Sequence, residues 1–163
     1  MRACALTVAV ASALVLTAAA SAATITKHAT TKSYALTLDV GPMETMYTEA
    51  QVKSMHPKSG EVMLEGGSMN SAMAMKGALE RHLEVHVTSR ASGKVVTNVK
   101  PLISITDSTA RTMSTKVNAV AMEGVGAGMS DVHYGNNVAL TPGHSYEVSV
   151  SINGEKASFT FKA

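Results

Sequence analysis

Residues 81–87 read RHLEVHV. Side chains on an extended strand alternate between faces, so His82, Glu84 and His86 share one side and Leu83, Val85 and Val87 the other. The apolar side reads as core and the polar side as a row of metal ligands. Same-face neighbours stand about 6.5–7 Å apart. Adjacent imidazole and carboxylate arms can therefore converge on one ion, while His82 and His86 need further ligands from another segment. A solvated face of an antiparallel sheet open on one side explains the same row equally well.

The other metal-ligating side chains are thioethers and a second histidine motif. Met43, Met46, Met55, Met63, Met69, Met73 and Met75 make residues 43–75 a methionine-rich region. Met43-Glu44-x-Met46 and Met73-x-Met75 are spaced to bring two sulfurs to one ion. Met63 reads as ordinary strand core, and any of them also serves as flexible core filler. Further on, HYGNNV (133–138) follows a glycine-rich approach whose glycines let backbone pass close to a site. Its plain alternative is a turn with an Asn-Asn pair. Thioethers favour Cu(I), imidazoles accept Cu, Zn, Fe and Ni, and a carboxylate adds charge suited to Cu(II), Fe or Mn. A mixed Met/His/Glu shell without thiolate points to copper first and iron second.

The chain opens with MRACALTVAVASALVLTAAASA: one early Arg, an apolar run over 3–16 and a small-residue end. That is the layout of a secretory signal peptide, with cleavage after Ala20, Ala22 or Ala23. The apolar run is shorter than the roughly 20 residues of a spanning helix. Residues 1–23 are thus expected to be removed, leaving 24–163 as one periplasmic or otherwise extracytoplasmic domain. The only cysteine, Cys4, leaves with the leader. A mature chain without disulfides needs an ordinary core, and about 140 residues suffice for one. Loss of Arg2 leaves 13 Lys and Arg against 12 Asp and Glu, without a basic stripe. With four Tyr, two Phe and no Trp, the chain lacks the charge and stacking surfaces of a nucleic-acid binder.

The positioning elements read as strands. Residues 24–32 are small and polar and read as a loose mature N-terminus. Residues 34–40 alternate as a first half-buried strand, 60–66 form a short second one, and 68–76 have weak helical or loop character. A long strand over 79–89 turns at 91–94 into 95–107, where Pro101 marks a strand start or an edge. Strands over 112–122 and 132–140 follow. The clearest signal is terminal: Tyr146, Val148, Val150 and Ile152 alternate, Asn153-Gly154 supplies a type I′ turn, and Ala157, Phe159 and Phe161 alternate back. Seven or eight short strands without βαβ spacing predict an all-β, immunoglobulin-like antiparallel β-sandwich.

Taken in order, the 34–40 strand with PMExM (42–46), HLE (82–84), a Met-containing segment and HYGNNV (133–138) resemble the periplasmic iron- and copper-binding proteins of bacterial high-affinity iron-uptake systems, an immunoglobulin-like family. This chain looks like a shortened relative. The resemblance implies a copper site, Cu(I) or Cu(II), made by His82, Glu84, Met122 and His133, with iron as a further metal. Met122 lies farther ahead of His133 than the family's methionine does, which brings in Met129, and His144 stands unaligned where the family has another histidine. His86, Met43 and Met46 are additional candidates from the motifs themselves. The resemblance also implies a homodimer and a membrane permease partner.

The function expected is therefore an exported metal-binding protein for metal transport or homeostasis. A non-metal sandwich serving as an interaction module of the cell envelope is the alternative. No Gly-x-Ser-x-Gly elbow, phosphate-cradling loop or HExxH helix is present, and the chain is not expected to be an enzyme.

Overall fold

The computed structural model describes residues 23–64 and 78–163. Residues 1–22 of the leader and Met69, Met73 and Met75 lie outside the described residues. The strands are β1 (Ile25–Thr30), β2 (Tyr34–Pro42), β3 (Met46–Thr48), β4 (Glu61–Met63), β5 (Leu79–Ser89), β6 (Leu102–Asp107), β7 (Thr115–Val117), β8 (Val120–Gly124), β9 (His133–Leu140), β10 (Ser145–Ile152) and β11 (Glu155–Lys162). An α-helix, α1 (Glu49–Met55), sits between β3 and β4.

Two sheets form the sandwich expected from the strand pattern. The larger runs β1-β2-β5-β9-β8-β4-β3 and the smaller β11-β10-β6-β7. Pairing is antiparallel except between β3 and β4. Leu36, Leu38 and Val40 of β2, with Leu83, Val85 and Val87 of β5, face Ile103, Val148, Val150, Phe159 and Phe161 of the smaller sheet in one core. Every apolar residue of the 82–87 alternation is fully buried there. The terminal hairpin forms as its pattern predicts, with Asn153 and Gly154 both at positive φ (50° and 84°), as a type I′ turn requires.

Several local expectations are corrected. Residues 25–30 are not loose: they pair with residues 35–40 of β2, from Ile25↔Val40 to Thr30↔Ala35, and cover what would otherwise be an open edge. Thr26 bonds Asp39, and His28 Nδ1 lies 3.0 Å from the Thr37 hydroxyl. The expected strand over 95–107 shrinks to Leu102–Asp107, because Pro101 offers no N–H and Val95 makes only an isolated bridge to Thr88. The expected strand over 112–122 splits, since the chain crosses between sheets at Asn118-Ala119 and places β7 in one and β8 in the other. Helix α1 was not expected. It is started by a capping box in which the Thr48 hydroxyl accepts from Gln51 N–H (3.2 Å) and Gln51 Oε1 accepts from Thr48 N–H (2.8 Å).

Candidate metal centre

The polar row of β5 lies on the face of the large sheet turned away from the sandwich core, and strand register decides what joins it. Opposite residues of neighbouring strands share a face at about 4.5–5.5 Å. His86 opposes His133 of β9, Met122 of β8 opposes His133, and Met63 of β4 opposes Met122. One turn of the pleat away, Asp39, Glu84, Gly135 and Val120 form the next cross-strand row, and His82 opposes Asn137. Glu61, two residues before Met63, falls on the same face.

Gly135 permits this meeting. A Cβ there would lie 1.8 Å from the Leu83 carbonyl oxygen and 2.8 Å from its carbon, both backbone atoms. Only glycine lets β9 run this close to β5, which brings the His133 ring within 5.1 Å of His86 and 6.0 Å of His82, centroid to centroid. The glycine-rich approach ends in a short 3-10 turn, Met129–Asp131. Its Asp131 carboxylate accepts from Gly124 N–H (2.9 Å), and its carbonyl accepts from His133 Nδ1 (2.9 Å).

The carbonyl accepts only, so Nδ1 of His133 carries hydrogen and Nε2 faces the site. Nε2 stands 3.2 Å from Glu61 Oε2 and 3.6 Å from Glu84 Oε2. In a neutral ring Nε2 is a lone pair pointed at carboxylate oxygen, which only a cation can reconcile, whether a proton or a metal ion. Neither Glu61 Oε2 nor His133 Nε2 makes an aligned hydrogen bond, and the same holds for His82 Nε2. His82 and His133 are almost wholly inaccessible, at 0 % and 1 % exposure. The three residues that carry these atoms form a Glu61/His82/His133 group with one ligand atom from each lying mutually within 4.8 Å, and a second group, Glu84/His86/His133, shares His133. Buried polar atoms seldom lack partners.

Charge follows the same geometry. Burial disfavours a charged His133, but contact with Glu61 and Glu84 and the bond to Asp131 outweigh it and raise its pKa. Burial also opposes ionisation of Glu84. The bond from His86 and the nearby His133, His82 and His86 prevail and lower its pKa. Glu44 is held above its ordinary value by burial and by Glu61 and Glu84, against the attraction of His82. Glu84 and Asp39 lie 3.3 and 3.8 Å from His86 Nε2. The carboxylates of Asp39, Glu61 and Glu84 thus lie 3.2–3.8 Å from the imidazoles of His86 and His133, an environment that attracts a cation.

Of the residues anticipated as copper ligands, His82, Glu84 and His133 come together, and Met122 stands opposite His133 in register. His86 joins them through Glu84. Met122, Met46 and Met63 are buried with Val120 in a small hydrophobic cluster separate from the main sandwich core, so Met63 is strand core as its sequence reads. Met43 and Met129 are instead 51 % and 58 % exposed. His144 takes no place here: its Nδ1 bonds Asp107 (2.7 Å) at the end of β6 in the other sheet. The solvated-face reading of the β5 row does not hold for His82, which is fully covered. Sequence reasoning missed Glu61, Glu44 and Asn137. The available signal for Glu61 was a carboxylate two residues from a buried Met on a short glycine-bounded strand, and for Glu44 its place between Met43 and Met46.

This set of nitrogen and carboxylate donors beside buried thioethers forms a His/Glu cluster able to hold a metal ion. Comparison with known proteins gave no matching family model, no matching curated protein and no matching solved structure.

Proposed function

We propose that this chain is an exported metal-binding protein that carries one copper ion, with iron as the next most suitable metal, at the His/Glu cluster of its large sheet. The observation that carries this reading is the convergence of Glu61, His82 and His133, each of which has a buried, unbonded donor atom. Four donors about 2.0–2.1 Å from a tetrahedral ion are about 3.3 Å apart. The 3.2 Å separation of Glu61 and His133 already has that spacing.

Glu84 belongs to the adjoining group with His86, and its Oε2 lies 3.6 Å from the shared His133 Nε2. Met122 is the favoured thioether, since it is fully buried and directly opposite His133. Imidazole with thioether suits Cu(I), and imidazole with carboxylate suits Cu(II), so one site accommodates both states by exchanging weight between Met122 and the glutamates. Carriage of the ion requires no chemistry on a substrate. Export rests on the leader pattern of residues 1–23, and the likeness to iron- and copper-binding envelope proteins points the same way.

The test is a titration of protein purified after expression of the full chain. Native mass spectrometry reads stoichiometry with Cu(II), with Cu(I) under anaerobic conditions, and with Fe(II) and Zn(II) alongside. One retained copper per chain, lost in His133→Ala, is the expected result. Failure to retain any of the four metals would return the polar face to the interaction-module reading.

A further inference from the structure

Beside the cluster, one side chain touches both a candidate ligand and a separate loop. Asn137 Oδ1 lies 2.9 Å from His82 Nδ1 and accepts from the backbone N–H of Glu44 at 3.3 Å. Its Nδ2 donates to the Glu44 carbonyl at 2.8 Å. Its own N–H is bonded to Asn136 Oδ1 (2.8 Å), whose amide is in turn anchored on the Asn118 carbonyl (2.8 Å).

These contacts leave one self-consistent assignment. A backbone N–H can only donate and a backbone carbonyl can only accept. Glu44 therefore dictates which end of the Asn137 amide faces it, because a flipped amide would set NH₂ against N–H and oxygen against oxygen. With Oδ1 so fixed, and able only to accept, His82 must carry hydrogen on Nδ1. Its Nε2 then presents a lone pair to the buried space shared with Glu61 and His133. The same amide clasps the backbone of Glu44.

We propose that Asn137 is the positioning residue of this centre, a carboxamide latch that fixes His82 as the Nδ1–H tautomer and ties the backbone of Glu44 to β9. The proposal rests on the metal-binding reading and adds to it a residue that touches no ion. Groups that orient a ligating histidine through its other nitrogen commonly influence metal affinity about 10–100-fold.

Two readouts separate the latch from the site it serves. Long-range ¹H–¹⁵N correlation on metal-free protein under mildly alkaline conditions reports the His82 tautomer directly, and Cu(II) competition titration reports affinity. Wild-type protein is expected to show Nδ1–H at His82. Asn137→Asp keeps the acceptor and should keep that tautomer, whereas Asn137→Ala should mix tautomers and weaken copper by roughly tenfold or more. Should Asn137→Ala fail to fold, the tautomer in wild type and in Asn137→Asp still decides. An Nε2–H tautomer in wild type, or unchanged copper affinity in a folded Asn137→Ala, would overturn the latch while leaving the metal site standing. Absence of copper binding by wild type would instead overturn the metal reading, and the latch would fall with it.

Discussion

Replacing His82 by Leu should make the metal-free protein more stable while abolishing tight copper binding. The ring is fully buried and its Nε2 has no hydrogen-bond partner. A buried unsatisfied polar group costs about 1–3 kcal/mol. Leu fills a similar volume and removes that group. The substitution forfeits the Nδ1 contact with Asn137, about 0.5–1.5 kcal/mol, although Asn137 keeps both of its bonds to Glu44. Burying an aliphatic side chain in place of the ring adds roughly another 1 kcal/mol. The net expectation is a gain of about 1–2 kcal/mol, or a rise in Tm of about 3–8 °C for a domain of this size. Urea and thermal denaturation with chelator present, followed by far-UV circular dichroism, measure it. Copper should invert the ranking, because wild type saturated at a hundredfold excess over Kd gains about 2.7 kcal/mol and His82→Leu gains little. A loss of more than about 1 kcal/mol in the metal-free variant would mean that His82 belongs to a satisfied structural network, and the argument from orphaned atoms would fail.

Three other outcomes follow from the same geometry. Gly135→Ala must part β5 from β9, because its Cβ would sit 1.8 Å from the Leu83 carbonyl. We expect a loss of about 3 kcal/mol or more together with the copper site, and a variant within 0.5 kcal/mol of wild type would contradict the close approach. Met122→Leu conserves volume and should cost under about 1.5 kcal/mol, yet lower Cu(I) affinity by tenfold or more, about 1.4 kcal/mol. Met43→Leu and Met129→Leu should leave both unchanged, and equal Cu(I) affinities across all three would remove the thioether from the site. Protonation gives a signed pH dependence. His133 has a raised pKa in the folded state, so its contribution is complete below about pH 6.5 and is lost as pH rises through the raised value. Glu84 has a lowered pKa, so its contribution is present above about pH 4.5 and is lost as pH falls through the lowered value. Metal-free Tm should therefore peak between these limits and decline on the alkaline side, a decline absent in His133→Asn. Copper affinity should rise over that same alkaline range as the ion displaces the proton.

Legibility in the sequence followed how local each cause was. The alternation of β5 and the Asn153-Gly154 hairpin are set by neighbouring residues and could be read directly. So could the facing of His82, Glu84 and His86, which needs only the two-residue period of a strand. Strand β1 was missed because ITKHAT is mostly exposed and carries little apolar alternation; it is a strand because β2 offers it an edge. The split between β7 and β8 depends on a crossing between sheets that short polar stretches do not announce. Glu61 reaches His133 only through the registers β4–β8 and β8–β9. Its three-residue strand gives no hint of that partner. Asn137 looked like half of an asparagine turn, yet it stands within β9, where pairing with β5 sets it opposite His82.

On the proposed function, Glu61, His82 and His133 hold one ion between them. The most direct measurement is a crystal structure of the copper-loaded protein with anomalous data collected at the copper edge. One strong anomalous peak per chain is expected at bonding distance from His82 Nε2, His133 Nε2 and a Glu61 carboxylate oxygen. A peak at His144 and Asp107, at His28, or nowhere in the chain would contradict it.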